Sequence, residues 1–108
     1  KEKQHDFFEM TDDVPYMNQV VQVKPQFRDI LKAVTHVDGS ARVQTVYKNT
    51  LIHKLLEEFE LVSGYPILLN TSFNIKDKTM VLTPKDAIDT FFDTEMDLLV
   101  IGNHVLYK

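Results

Sequence analysis

The amino-acid sequence predicts the α/β class, a mixed, twisted sheet with helices packed on it. Short runs rich in β-branched residues, bounded by Pro, Gly and Asn, alternate with two stretches whose apolar residues recur at helical spacing. With 108 residues, 44% of them hydrophobic and including seven Phe and four Tyr, the chain has enough apolar side chains for one core. Elements that alternate in this way bury their apolar faces by layering helix on sheet.

Residues 1 to 13 mix charges with Phe7, Phe8 and Met10, a pattern that fits an N-terminal arm or the end of an upstream helix, and Asp12-Asp13-Val14-Pro15 breaks it. Residues 14 to 108 are then expected to form the domain. From Tyr16 to Val23 the residues Met17, Val20, Val21 and Val23 read as a strand stopped by Pro25, with a short helical turn over 26 to 31. The block from Ala33 to Val46 predicts two short strands about Asp38-Gly39, with Val34, Val37, Ala41 and Val43 as apolar anchors. Leu51, Ile52, Leu55, Leu56, Phe59 and Val62 fall on one stripe of a helix over 49 to 62, taken as core-facing, and Gly64 is its stop.

A strand over 66 to 71 and a short one over Met80-Val81-Leu82 are expected next. Thr83-Pro84-Lys85-Asp86 then supplies an N-cap, a first-turn proline and an acid at the third helical position, so a helix should start here and bury Ala87, Ile88, Phe91 and Phe92. Residues 97 to 101 predict a buried strand, Gly102-Asn103 a tight turn, and residues 104 to 107 its hairpin partner.

Charge and composition exclude several classes of function. A net charge of -4 and a pI of about 5.5 give no basic face for a nucleic-acid backbone, whereas a small phosphorylated ligand needs only one or two local cations. The absence of Cys rules out disulfides and thiolate metal sites. No apolar run approaches the roughly 20 residues that cross a bilayer. The expectation is a cytoplasmic protein with neither a nucleic-acid nor a membrane partner. The chain opens in charged sequence without Met and reads as the middle of a longer polypeptide.

Two clusters carry candidate chemistry. In Asn70-Thr71-Ser72-Phe73-Asn74, an extended backbone puts Asn70, Ser72 and Asn74 on one side. Either these residues cap a turn, as Asn and Ser commonly do, or they line a cradle of neutral donors and acceptors for a nucleotide or carbonyl ligand. In His36-Val37-Asp38-Gly39-Ser40-Ala41-Arg42, His36 and Asp38 are two metal-ligand types, fewer than the three or four a metal site needs, and no metal is expected. Arg42, among Ala41, Val43 and Val46, calls for an anion: a structural carboxylate such as Asp38, or a ligand phosphate gripped bidentately. With three glycines and no Walker or GxGxxG pattern, a glycine-rich phosphate loop cannot be built.

Taken in order, "VPYM", "AVTHVDGSARVQTV", "YPILLNTSFN" and "VLTPKDAIDTFFDTEMDLLVIGN" resemble the C-terminal domain of the O-carbamoyltransferases, over residues 14 to 108. The resemblance implies a YrdC-like C-terminal portion that uses ATP, as a substrate, and carbamoyl phosphate to make carbamoyl-adenylate. An N-terminal ASKHA-type domain of the same polypeptide, which would carry the metal, then transfers the carbamoyl group to a hydroxyl of a small-molecule substrate. It further implies that Ser72 and Asn74 form the family's S-x-N element, that Arg42 neutralises phosphate charge, and that Asn70, His36 and Asp38 assist in binding. The family's K-x-R-E element, which would lie upstream, is absent, and Asp77-Lys78-Thr79 stands where the family has a Gly-Glu-Pro turn. Alone, the fragment is expected to be inactive. The competing reading is a noncatalytic interaction domain docked on a partner domain; in either case uncovered apolar surface would drive the fragment toward a homodimer.

Overall fold

Two units divide the chain in the computed structural model, which describes residues 1–108: Lys1–Leu69 and Asn70–Lys108, each with its own apolar core. Both mix helix with small antiparallel sheet, so the α/β class holds, with the strands shared between two sheets.

In the first unit a single helical turn, α1 (Gln4–Phe7), runs into β1 (Phe8–Glu9), which pairs antiparallel with β2 (Gln19–Val23). β2 pairs in turn with β3 (Ser40–Val43), in the register Gln19 to Val43, Val20 to Arg42, Val21 to Ala41 and Gln22 to Ser40. Because strand side chains alternate, Val21, Val23, Ala41 and Val43 share one face. There they pack with Phe7, Val14, Leu31 and the partly buried Phe27 and Tyr65. Val20, Gln22, Ser40 and Arg42 share the other. The Phe7 and Phe27 rings lie 4.9 Å apart, tilted by 57°, a favourable aromatic geometry. Thr45 is buried with both its polar groups used: its Oγ1 accepts from Val14 N–H and its own N–H donates to Val14 O, each at 2.8 Å.

Three expectations about this unit are corrected. Residues 33 to 37 form turns, not a strand, and Val37 is fully exposed. The Asp38-Gly39 corner returns the chain to pair with β2 instead of with its own upstream flank, because the burial available at Ala41 and Val43 lies against β2. Residues 66 to 71 run extended without a ladder, for no strand lies alongside them. Finally α2 (Leu51–Ser63), capped by Thr50 Oγ1 accepting from His53 N–H and ended by Gly64 at φ 81°, buries none of its residues. Its stripe of Leu51, Ile52, Leu55 and Phe59 is exposed, not core. A groove of about 250 Å³ lies beside it, lined by Leu31, Val34, Phe59, Tyr65, Ile67 and Leu69 among others.

The second unit is built on α3 (Pro84–Phe92). Its predicted start is realised as a capping box: Thr83 Oγ1 accepts from Asp86 N–H at 3.1 Å and Asp86 Oδ2 accepts from Thr83 N–H at 2.9 Å. α3 buries Ala87 and Phe91 against Leu99 of β4 (Leu98–Ile101) and Leu106 of β5 (His104–Tyr107), with Phe73, Val81 and Ile88 alongside. Phe92, expected inside, is 60% exposed. β4 and β5 form the predicted hairpin, closed by Gly102, at φ 56°, and Asn103. Only one face of β4 is covered: Leu99 is buried and Val100 is exposed. Met80-Val81-Leu82 is not a strand; Val81 N–H donates to Phe73 O, and its side chain joins the core. No helix is long and apolar enough to cross a membrane.

Candidate functional site

The six candidate residues fall into two groups, each inside its own unit. In the first, the 36 to 40 corner is locked by its own side chains. Asp38 Oδ1 accepts from Ser40 N–H at 3.0 Å and from Ser40 Oγ–H at 2.7 Å, the Asx-turn arrangement. His36 Nδ1 lies 3.0 Å from Ser40 Oγ; with the Ser40 proton given to Asp38, Nδ1–H is the donor. His36 N–H donates to Ser40 O and Gly39 N–H to His36 O, closing the corner. These three residue types are those of a hydrolase triad, but the wiring differs. The serine proton goes to the carboxylate and Ser40 is buried, so the trio fixes a turn. The Ser40 hydroxyl, then its N–H, hold the Asp38 carboxyl below the usual carboxylate range.

Arg42 follows two residues along β3. The alternation that buries Ala41 and Val43 turns Arg42 outward, so it is exposed and the burial argument for its anion falls away. Asp38 is not its partner either. Arg42 Nη2 donates to Met17 O at 3.1 Å, and Met17 sits at φ 53°, a left-handed conformation unusual for a non-glycine residue. The guanidinium thus ties a strained turn to the sheet edge while keeping most of its donors on the surface.

In the second group, Ser72 Oγ–H donates to Asn74 Oδ1 at 2.7 Å, and Asn74 Nδ2–H donates to Ile75 O at 3.2 Å and Lys78 O at 3.4 Å. Lys78 N–H closes the same loop on Ile75 O, with Asp77 at φ 65°. Asp tolerates that conformation better than most residues, which is how this loop turns without a glycine. Asn74 is half-buried, while Ser72 and Asn70 are exposed. The Ser72–Asn74 pair therefore shapes a turn and at the same time presents a hydroxyl and amide edge at its surface. No three His, Asp or Glu side chains converge as a metal site.

Sequence reasoning passed over Arg28. Its Nε–H donates to Val23 O at 2.9 Å and its Nη2–H to Gln22 Oε1 at 3.1 Å. Its guanidinium lies flat on Gly39: a Cβ there, at φ 82°, would come within 2.5 Å of Cζ. Arg28 and Arg42 are the only arginines of the chain, a signal that was available.

A small α/β piece with a polar sheet face and a locked polar loop is compatible with many proteins, and the comparisons narrow the class. The family model described as Carbamoyltransferase C-terminus matches residues 1–108; the chain belongs to that family. Among curated proteins, the nodulation protein NolNO of Sinorhizobium fredii is 42% identical over 113 residues, covering 100% of this chain and 17% of its own length. The nodulation protein NolO of Bradyrhizobium diazoefficiens is 41% identical over 113 residues, covering 100% and 21%. The uncharacterized protein sll1178 of Synechocystis is 39% identical over 129 residues, covering 99% and 21%. The chain thus spans about a fifth of the length of these relatives.

Proposed function

We propose that this chain is the C-terminal, YrdC-like part of a carbamoyltransferase and that it binds ATP and carbamoyl phosphate for carbamoyl-adenylate formation. In that reaction one water is consumed; phosphate leaves carbamoyl phosphate and pyrophosphate leaves ATP as the carbamate oxygen bonds to the α-phosphorus. Ser72 and Asn74 present a hydroxyl and an amide, which can match the N–H and carbonyl groups of a carbamoyl unit together. Arg42 neutralises charge on the transferring nucleotide. Asn70, His36 and Asp38 assist, Asp38 by fixing the corner before β3. The observation that carries this reading is the family match over the whole chain, joined to an exposed guanidinium with no acid partner.

The test is ATP-dependent pyrophosphate release in the presence of carbamoyl phosphate, using the whole polypeptide. Arg42→Ala, and Ser72→Ala combined with Asn74→Ala, are each expected to lower release at least tenfold with the fold intact. Wild-type rates in both would return the two groups to turn structure.

A second reading concerns assembly and is favoured by α2, which buries none of its residues and leaves Leu51, Ile52 and Leu55 exposed. Relatives five times longer supply the candidate cover: the preceding part of the same polypeptide, for which the family resemblance suggests an ASKHA-type domain. Leu55→Asp in the whole polypeptide is then expected to expose that seam to protease. An unchanged digestion pattern would remove the reading.

A further inference from the structure

We propose that α2 is the seam of a homodimer: it packs antiparallel on α2 of a second copy of this chain about a two-fold axis, apolar stripe on apolar stripe, with Lys54 of each copy against Glu58 of the other. The proposal is independent of the nucleotide reading, and it gives this face a different occupant from the preceding part of the polypeptide considered above.

α2 is tied to its own unit by its polar side. At 3.6 residues per turn, Leu51, Leu55, Phe59 and Val62 lie within about 80° of one another, and His53, Glu57 and Glu60 lie opposite. That polar set is engaged within the chain: His53 stands between Glu2 and Glu57, at 3.4 and 3.3 Å, and Glu60 pairs with Lys3. The apolar set is turned outward, with Leu51, Leu55 and Val62 each more than half exposed. An amphipathic helix ordinarily does the reverse, and an exposed apolar stripe of this kind marks an interaction surface.

Two charged residues of α2 select the occupant. Lys54 and Glu58 are exposed, border the stripe on its Leu51 side and take no part in the ion pairs of the chain. They are four residues apart with the lysine first, the poorer order for a pair within one helix. In an antiparallel two-fold pair the same flank of both helices meets. An axis level with Leu56, midway between Lys54 and Glu58, then sets each lysine against the other copy's glutamate, so one axis makes two ion pairs. A parallel pair would set this flank against the opposite one, where Ile52 and Leu56 carry no charge, so the charges choose the antiparallel arrangement.

The same axis brings Leu55 near the second copy's Phe59 and Leu51 near its Val62. Phe59 also walls the apolar groove formed with Leu31, Val34 and Ile67, so stripe and groove are continuous. The second copy's Leu51 and Ile52 arrive at that end of the helix, where the groove takes an apolar side chain.

The experiment is sedimentation of the whole polypeptide over a concentration series. The wild type is expected to dimerise, and Leu55→Asp, at an exposed position, should weaken the dimer by at least about tenfold. Lys54→Glu alone sets two like-charged pairs across the axis, as Glu58→Lys alone does, and each should weaken the dimer about tenfold. An equimolar mixture of these two variants should associate as tightly as the wild type, because both pairs of the mixed dimer again join opposite charges. A monomeric wild type, a dimer that Leu55→Asp leaves intact, or a mixture no tighter than the single variants overturns the proposal. A monomeric wild type in which Leu55→Asp opens a protease site leaves the preceding part of the polypeptide as the cover and removes the second copy. Rescue in the mixture does the reverse.

Discussion

α2 and α3 carry the same kind of sequence signal and meet opposite fates. Each has an apolar stripe at helical spacing and a threonine cap, yet α3 buries Ala87 and Phe91 while α2 buries nothing. Phe91 is wholly enclosed, whereas Leu55 on α2 is 55% exposed. α3 is followed after a short turn by a hairpin that folds onto it, and α2 is followed by extended chain with no ladder. Periodicity states which side of a helix wants cover; the neighbouring chain determines whether it receives any.

The largest effect should come from the covered helix. Phe91→Ala is expected to cost about 3–5 kcal/mol, measured by denaturant unfolding; a loss below about 1 kcal/mol would mean that the second core is not the support of its unit. Next comes the uncovered helix. Leu55→Ala in this chain should stay within about 0.5 kcal/mol, but in the whole polypeptide it should cost at least about 2 kcal/mol if the stripe is covered there. Equal small losses in both settings would make α2 a solvated helix.

The caps give a finer comparison. Thr83→Ala removes one bond of a reciprocal capping box and leaves the backbone Thr83 N–H bond to Asp86 in place, whereas Thr50→Ala removes both the cap to His53 N–H and the hydroxyl's bond to Tyr47 O, so each should lose about 1 kcal/mol by denaturant unfolding, Thr50 at least as much as Thr83; a smaller loss at Thr50 would show that its bond to Tyr47 contributes nothing. The smallest effect is on pH. Thr83, by side chain and then by backbone, holds the Asp86 carboxyl below the usual range. A depressed pKa means stability that is present above the unfolded-state value, near 3.9, and lost as pH falls through the lower folded-state value. Thermal stability is therefore expected to fall in acid with an Asp86-dependent part, and Asp86→Asn should flatten that part. α2 has no acid in its first turn and serves as the reference.

Much of this was legible in the residues. The Thr83-Pro84-Lys85-Asp86 start, the Gly64 stop and the Gly102-Asn103 hairpin are local signals, satisfied by bonds within a few residues, and all three form as read. The strands expected over 33 to 37, 66 to 71 and 80 to 82 do not form, because a strand needs a ladder partner and composition names none. At the candidate site, the Asx turn at Asp38 and the loop closed by Asn74 follow from short-range preferences of Asp and Asn. Arg28 was missed because its bonds to Gln22 and Val23 depend on how the turn after β2 folds back, and its contact with Gly39 exists only when β3 docks on β2.

The sequence by itself determined the α/β class, both helices with the α3 capping box and the Gly64 stop, the closing hairpin and the family resemblance, since each depends on the order and spacing of neighbouring residues. Tertiary structure alone decided that the strands divide between two sheets, that α2 stays uncovered and that Arg42 faces outward. It also set Arg28 beside Gly39. These depend on which distant segments compete for the same apolar surface, and burial is a property of that pairing, not of any one segment.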